Sequence, residues 1–461
     1  MPKIDYQKIL SKIKPSKREY HEINELAVKL ISIINDIAAN YDIDAKAILV
    51  GSVAKDTWLA GKADIDIFIE FPLNTKESEL KDKGLFLGHE CIKKMQGQYE
   101  LRYASHPYVT GLINGFEIDF VPCYSIEDSS KLKSAVDRTI LHTEYVKKNL
   151  EEKQKDHVIL LKKFMSSIDT YGSEFKVGGF AGYLCELLVL YYGSFNQVLK
   201  AASEHWHYGY IIDLEKFNTG SSFSAPLIVV DPVDKNRNVA AALTTQKMAE
   251  FIVASRNFLE NPKEEFFSKR NIKYDAKSIK KRFNDRRTKT LLLVFKPPEI
   301  PADAVYPQLK KTETSLKKII ERAEFQVYGS SYWTNHTNLA IILLEMLVWE
   351  LPKIKKHTGP YIWSRKHQKR FLDKYGSNAW IEKDQWMVDI ERDYCDVELL
   401  LKDILSPEKI YLLKSGKHVK KEILNHAEIV DVKHFITARE VDDSLLKFLY
   451  EYLNKCGNIW R

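Results

Sequence analysis

Two aspartates flank a single isoleucine in Asp64-Ile65-Asp66, thirteen residues after a Gly51-Ser52 pair. A third carboxylate, Asp119, stands in Phe116-Glu117-Ile118-Asp119-Phe120-Val121. A strand turns alternate residues to opposite faces. Ile65, Ile67, Ile69 and Phe71 then share one face, and Asp64 and Asp66 the other. Neighbouring carboxylates repel unless a hard divalent cation lies between them. Strands with acids on one face also occur simply as half-solvated sheet. The Gly-Ser pair tips the balance toward chemistry. It falls between a strand, Ala47-Ile48-Leu49-Val50, and a helix expected to open over Val53–Leu59. Glycine lets backbone approach a ligand, and a helix start offers N–H groups to a phosphate. Ser52 adds a hydroxyl and Lys55 a positive charge one turn on. The pattern suits a triphosphate and its metal ions.

The elements that must position these residues are legible in outline. Ile4 to Asn40 has helical periodicity, and the three strands follow with helical stretches between them. Glu151–Asn196 and Lys247–Asn261 also read as helices, separated by a short apolar strand, Leu227–Val230, that Asp231-Pro232 stops. Beyond a basic junction, Lys269–Arg287, Thr290–Phe295 reads as a strand and Pro307–Ala323 as a helix. Phe325–Thr334 and Leu339–Val348 read as strands joined by a turn at Asn335-His336-Thr337-Asn338, although Leu343–Trp349 also suits a helix. This order suggests an open sheet backed by helices, as RNA-binding proteins use.

Composition sets the outer bounds. A chain of 461 residues is too long for one core. The formal charge of +7 permits an RNA partner without requiring one. The five cysteines are scattered without zinc-ligand spacing, so reduced thiols and a cytoplasmic location are expected. The longest apolar run, Leu339–Trp349, contains Glu345 and is too short to span a membrane.

Longer motifs narrow the reading. Gly51-Ser52-Val53-Ala54-Lys55-Asp56-Thr57-Trp58-Leu59, Ser105-His106-Pro107-Tyr108-Val109, Ile118-Asp119-Phe120-Val121-Pro122-Cys123-Tyr124 and Val136-Asp137-Arg138-Thr139 come first. Leu160-Leu161-Lys162-Lys163-Phe164, Tyr171-Gly172, Gly178-Gly179-Phe180-Ala181-Gly182-Tyr183-Leu184 and the stretch from Asp231 to Ala240 follow. Gly329, Trp333 and His357-Thr358-Gly359-Pro360 extend the series. In this order they resemble the archaeal, class I, CCA-adding tRNA nucleotidyltransferases of the DNA polymerase beta superfamily. The resemblance implies a multidomain α/β protein. Its parts would be a polymerase-beta-like head (1–146), a mostly helical neck (147–268), a ribonucleoprotein-like α+β body (269–352 and 411–461) and an inserted tail (353–410). It implies template-independent building or repair of the tRNA 3′-terminal CCA from CTP and ATP, with Mg²⁺ held by Asp64, Asp66 and Asp119. Some relatives carry Glu at the position of Asp64, and Arg is common where this chain has Lys55.

The same resemblance assigns Gly51, Ser52, Lys55, Lys162 and Tyr171 to the triphosphate and His106 and His142 to the nucleotide pocket. Arg237 would select the base, and it could equally brace the turn through Asp231 or Asp234. A lysine on a helix such as Lys162 would, taken alone, be read as a solvated face. Glu117 shares the Asp119 face, and the motif aligns on Asp119. The tail carries Lys353, Lys355, Lys356, His357, Arg365, Lys366, Lys369 and Arg370, interleaved with Tyr361, Trp363 and Phe371. Lys355, Lys356, Arg365 and Lys369 are the expected grip on the tRNA acceptor arm. Oligomeric state is open, a homodimer among the options. The rivals are a poly(A) polymerase or oligoadenylate synthase-like enzyme, and a non-catalytic RNA-binding protein on the same fold.

Overall fold

The computed structural model describes residues 4–103, 107–438 and 441–461. The chain divides into two units, one ending at Asn271 and regaining Cys456–Arg461, the other spanning Ile272–Lys455.

In the first unit the long helical stretch at the start is two helices, α1 (Tyr6–Ile13) and α2 (Lys17–Asn40). Pro15 disfavours helix at the residue before it. Ser16 restarts the helix by accepting the Glu19 N–H at 3.1 Å. The next elements are β1 (Lys46–Val50), α3 (Gly51–Ala54), β2 (Ile65–Phe71), α4 (Glu77–Lys94), β3 (Gln98–Tyr103), β4 (Pro107–Ile113), β5 (Phe116–Tyr124) and α5 (Arg138–Asn149). The five strands form one sheet in the order β1-β2-β5-β4-β3. Its central pair, β2 and β5, is parallel.

The alternation expected of β2 holds. Ile65, Ile67, Ile69 and Phe71 are buried against α2 and α4 in one core. Phe68 meets Val121, Cys123 and Ile140 on the opposite face. That second face is also the one carrying Asp66 and Asp119. Each fully buried aliphatic contributes about 1.5–3 kcal/mol, so the register that aims the aspartates is strongly fixed.

The neck follows as α6 (Glu152–Ser167), α7 (Gly182–Tyr192), α8 (Phe195–Glu204), β6 (Tyr210–Asp213), β7 (Leu227–Asp231), β8 (Asp234–Asn238) and α9 (Thr245–Glu260). The expected single strand is thus the middle of a three-stranded sheet, β6-β7-β8. α1 joins the neck core through Ile9, Leu10 and Ile13, as does Ile459 from the end of the chain. Cys456–Arg461, read from sequence as body, therefore belongs with the neck.

The second unit contains α10 (Ala276–Asp285), β9 (Lys289–Phe295), α11 (Ala302–Arg322), β10 (Gln326–Thr334) and β11 (Ala340–Val348). The segment from Leu343 is strand, which settles the helix alternative. A small antiparallel sheet with one helix follows: β12 (Ile354–Tyr361), α12 (Arg365–Tyr375), β13 (Ala379–Glu382) and β14 (Gln385–Glu391). The chain closes with α13 (Val397–Ile404), α14 (Lys417–His426), β15 (Glu428–Asp431), α15 (Val432–Ala438) and α16 (Asp443–Leu453). The order β10-β11-β9-β15 is the split βαβ arrangement. The sheet is not open, however. Leu291, Leu293 and Ile342 are buried on one face with residues of α11, α13 and α14. Leu292, Ile341 and Leu343 are buried on the other with residues of α10, α15 and α16. The central strands β9 and β11, covered on both faces, present no open face for stacking bases. α13, inside the span assigned to the tail, belongs to this body core.

Candidate active site

β2 and β5 pair in parallel with Asp66 opposite Asp119. Asp119 accepts the Thr110 hydroxyl at 2.6 Å. Glu117, its neighbour on that face, is taken by the Arg102 guanidinium at 2.5 Å. Gly51 sits over Asp66 with φ +75°, and a Cβ there would overlap the Asp66 carboxylate. Glycine is therefore required twice, for the left-handed backbone and for the close approach. The expected helix over Val53–Leu59 is absent. α3 is a single turn starting at Gly51 itself, and Asp56, at φ +56°, takes the chain away from it.

Burial, then repulsion from Asp119 and Asp64, pushes the Asp66 carboxyl up to about 7. Asp119 is raised mainly by burial, and Asp64 by burial and then by Glu117. Such mutual destabilisation of anions is relieved by a hard cation, and the donors are all oxygen, so the residues fit a divalent metal. Asp64 is exposed just ahead of β2, whereas Asp66 and Asp119 are half-buried. Among the described residues no three His, Cys, Asp or Glu side chains yet converge as a ligand set.

Lys55 and Lys162 meet at one buried carboxylate. Lys55 Nζ lies 2.5 Å from Glu186 Oε2, and Lys162 Nζ lies 3.2 Å from Glu186 Oε1. Lys162 also donates to the Thr57 carbonyl and hydroxyl, at 3.0 and 3.1 Å. The Thr57 hydroxyl donates to Glu186 at 2.6 Å. The two ammoniums outweigh burial and bring the Glu186 carboxyl down to about 2. The solvated-face reading of Lys162 thus fails, since only 1% of it is exposed. Tyr171 lies beside it: a Cβ placed on Gly182 would be 3.2 Å from the Tyr171 hydroxyl and 3.5 Å from Lys162 Nζ. Ser52 is half-buried in the turn of α3.

A second carboxylate organises the neck side. Asp231 ends β7 and has no exposed surface. Its Oδ2 is 2.8 Å from both His142 Nε2 and Arg237 Nη1. Its Oδ1 accepts from the Val233 N–H at 3.1 Å and the Tyr183 hydroxyl at 3.3 Å. The His142 ring stacks on Tyr183 with centroids 3.9 Å apart. Burial lowers the pKa of His142 although Asp231 pulls the other way. Arg138 pairs with Asp234 at 2.9 Å. Arg138 and Arg237 line a cleft of about 510 Å³ with Asn236, Asn238, Ser173 and Phe223. Arg237 does brace the turn through Asp231, and it also faces this cleft. His106 lies outside the described residues.

In the tail, Lys355 pairs with Glu324 at 3.5 Å and Lys356 with Glu382 at 2.6 Å. Arg365 and Lys369 are exposed on α12. Tyr361 and Trp363 are exposed and stack on one another, centroids 5.2 Å apart. Phe371 is different. It is buried, and a Cβ on Gly359 would come 2.6 Å from its ring. It is the small core that docks α12 on β12, not a surface ring.

The sequence reading missed Glu186, Tyr183, Arg138 and the hub role of Asp231. Glu186 had a signal. It is the lone charge in Leu184-Cys185-Glu186-Leu187-Leu188-Val189, and a carboxylate buried in such a helix needs a partner. The His142–Tyr183 stack had none, because the two residues are remote in sequence.

Comparison with known proteins places these features. Residues 30–142 match the nucleotidyltransferase domain model, and 156–268 match tRNA nucleotidyltransferase, second domain. Residues 286–431 match the CCA-adding enzyme, C-terminal domain. The CCA-adding enzyme of Methanothermobacter thermautotrophicus is 50% identical over 98% of each chain. That of Methanocaldococcus jannaschii is 40% identical over 87% of this chain and 90% of its own. That of Methanosarcina mazei is 36% identical over 92% and 94%. Identity at this level along nearly the whole length, with the acidic pair and the Asp231–Arg237 hairpin in place, makes this chain a member of the archaeal CCA-adding tRNA nucleotidyltransferase family.

Proposed function

We propose that this protein builds and repairs the 3′-terminal CCA of tRNA from CTP and ATP, without a nucleic-acid template, releasing pyrophosphate at each addition. The observation that carries the reading is the Asp66–Asp119 pair under Gly51, in a chain that matches CCA-adding enzymes from end to end. Nucleotidyltransferases of this kind use divalent metal ions, and Mg²⁺ is the ion proposed here, held by Asp64, Asp66 and Asp119. When bound, it would supply Lewis-acid stabilisation to the attacking 3′-hydroxyl and to the departing phosphates.

The remaining roles belong to the chain's own groups. Gly51 and Ser52 let the triphosphate approach the backbone, and Lys55, Lys162 and Tyr171 offset and orient its charge. His142 and Tyr183 offer a stacked apolar wall, with His106 assigned to the same pocket by resemblance. Arg237 presents its fork to the base edge, where acceptors on cytosine or adenine satisfy it and donors on guanine or uracil do not. In the transfer, the tRNA 3′-oxygen forms a bond to the α-phosphorus as the bond to pyrophosphate breaks.

The division of labour proposed is head 1–146, neck 147–268, body 269–352 with 397–455, and tail 353–396, the last six residues docking on the neck. Lys355, Lys356, Arg365 and Lys369 are assigned to the acceptor arm. No described helix is long and apolar enough to cross a membrane. A cytoplasmic location is part of the reading. So is a homodimer, which light scattering of the full chain measures and a single-copy mass would remove. The activity itself is tested by mapping tRNA 3′ ends after incubation with CTP alone, ATP alone and both. Ends that stop at CC with CTP and reach CCA with both support it, whereas a growing homopolymer of A would favour the poly(A) polymerase rival.

A further inference from the structure

Two lysines that the proposed function gives to one triphosphate reach the same buried oxygen pair from different elements. Lys55 and Thr57 come from the loop after α3 in the head, Lys162 from α6 and Glu186 from α7 in the neck. Side by side in a buried setting, two ammoniums repel, and each would be driven toward its neutral form or out to water. One carboxylate between them removes that penalty. Donor counting makes the arrangement asymmetric. An ammonium has three N–H donors. Lys162 spends them on Thr57 O, Thr57 Oγ1 and Glu186 Oε1. Among the described residues Lys55 Nζ makes one hydrogen bond, to Glu186 Oε2. Its ammonium also lies over the Tyr183 ring, 5.6 Å from the centroid, and Lys55 stands four residues after Gly51, which packs on the Asp66 carboxylate.

We propose that Glu186 is the positioning residue of the nucleotide site, its carboxylate holding Lys55 and Lys162 side by side and tying the loop after α3 to the neck. Lys162 serves as the fixed post of this arrangement. Lys55 is the lysine held with donors to spare for phosphate oxygens. This rests on the reading of Lys55 as a triphosphate ligand. Glu186 itself touches neither nucleotide nor metal, so its removal should be felt in nucleotide affinity more than in turnover.

The test uses the full-length protein and tRNA lacking its 3′ end. The variants are Glu186→Gln, Lys55→Met, Lys162→Met and the pair Lys162→Met/Glu186→Gln. KM and kcat for CTP and ATP, and Kd for tRNA, are measured on each. Glu186→Gln should raise KM for both nucleotides about tenfold, the scale of one charge-assisted hydrogen bond. Its kcat should stay within about threefold and its tRNA Kd unchanged. A folded Glu186→Gln protein with parental KM would overturn the proposal. If that variant does not fold, the pair decides, because it removes one buried charge of each sign. The pair should show a KM about tenfold above Lys162→Met alone, since Lys55 has lost its anchor. Equal values would reduce Glu186 to a counter-ion for Lys162 and overturn it. Lys55→Met with unchanged KM would sink the triphosphate reading and this proposal together. A raised KM in Lys55→Met beside an unchanged one in Glu186→Gln would sink this proposal alone.

Discussion

The site in the first unit and the basic tail in the second hold their charges in opposite ways. At the site, Lys55 and Lys162 share Glu186, and His142 and Arg237 share Asp231, with both carboxylates inaccessible to water. In the tail, Arg365, Lys366, Lys369 and Arg370 stand along the solvent side of α12, and the pairs made by Lys355 and Lys356 are surface pairs. Buried charges interact strongly and only with partners in fixed positions. Exposed ones interact weakly, are screened by salt, and act as a sum. On the proposed function, the site discriminates and the tail holds. Substitutions in the first should give large, specific losses, and in the second graded, general ones.

The largest effect is expected at the acidic pair. Asp66→Asn and Asp119→Asn should each lower nucleotide incorporation more than about a hundredfold, the scale of losing a group that places a catalytic ion. Binding of tRNA should be retained. Rapid-quench incorporation measures the first and filter binding the second. Near-parental turnover in either folded variant would remove these residues from the chemistry.

Next comes selection of the base. Arg237→Ala should degrade both C and A addition and loosen rejection of UTP and GTP. Asp231→Asn should do the same with Arg237 intact, because an uncharged amide holds the guanidinium and the imidazole less firmly than the Asp231 carboxylate, whose Oδ2 serves both. Rejection by buried polar groups is worth about tenfold or more, since the wrong base leaves them unpaired. Single-turnover rates with all four nucleotides test this. Parental selectivity in Asp231→Asn would show that Arg237 needs no brace.

Smaller effects belong to the tail. Replacing Lys355, Lys356, Arg365 and Lys369 together should weaken binding of many tRNAs alike. For every phosphate no longer neutralised, the log–log salt dependence should flatten by about 0.7–0.9. Arg365 and Lys369 should account for most of the change, since they are exposed and hold no ion pair among the described residues, whereas Lys355 and Lys356 must exchange Glu324 and Glu382 for RNA. Titration of affinity against salt gives both quantities. The least effect on fold stability is expected at Trp363→Ala, within about 0.5 kcal/mol, because the ring is exposed. Phe371→Ala, by contrast, should cost about 3–5 kcal/mol of local stability by emptying the core under α12. Hydrogen exchange across 354–391 reads the difference. Equal protection in the two variants would contradict the packing described.

How much of this the sequence disclosed follows the same division. Strand alternation announced the face of Asp66, and Gly51 announced a close approach, because both are consequences of local backbone geometry. The turn at Asn335–Asn338 and the strands on either side of it were legible for the same reason. The closed second face of the body sheet was not. Its cover comes from α10, α15 and α16, and α10 lies more than a hundred residues before the other two along the chain. The shared carboxylates were not legible either, because Glu186 and Asp231 find their partners through tertiary packing. Lys162 and Phe371 show the cost of reading composition alone. Lys162 has the sequence setting of a solvated lysine and is buried, and Phe371 has that of a surface ring and is core.

The most direct measurement of the division between site and tail takes tRNA affinity and single-turnover incorporation together on Asp66→Asn and on the fourfold tail variant. The account predicts a crossing. Asp66→Asn keeps parental affinity and loses incorporation more than about a hundredfold. The tail variant loses affinity and regains parental incorporation once tRNA is saturating. A tail variant that stays slow at saturating tRNA, or an Asp66→Asn protein that incorporates CTP and ATP at the parental rate, would contradict it.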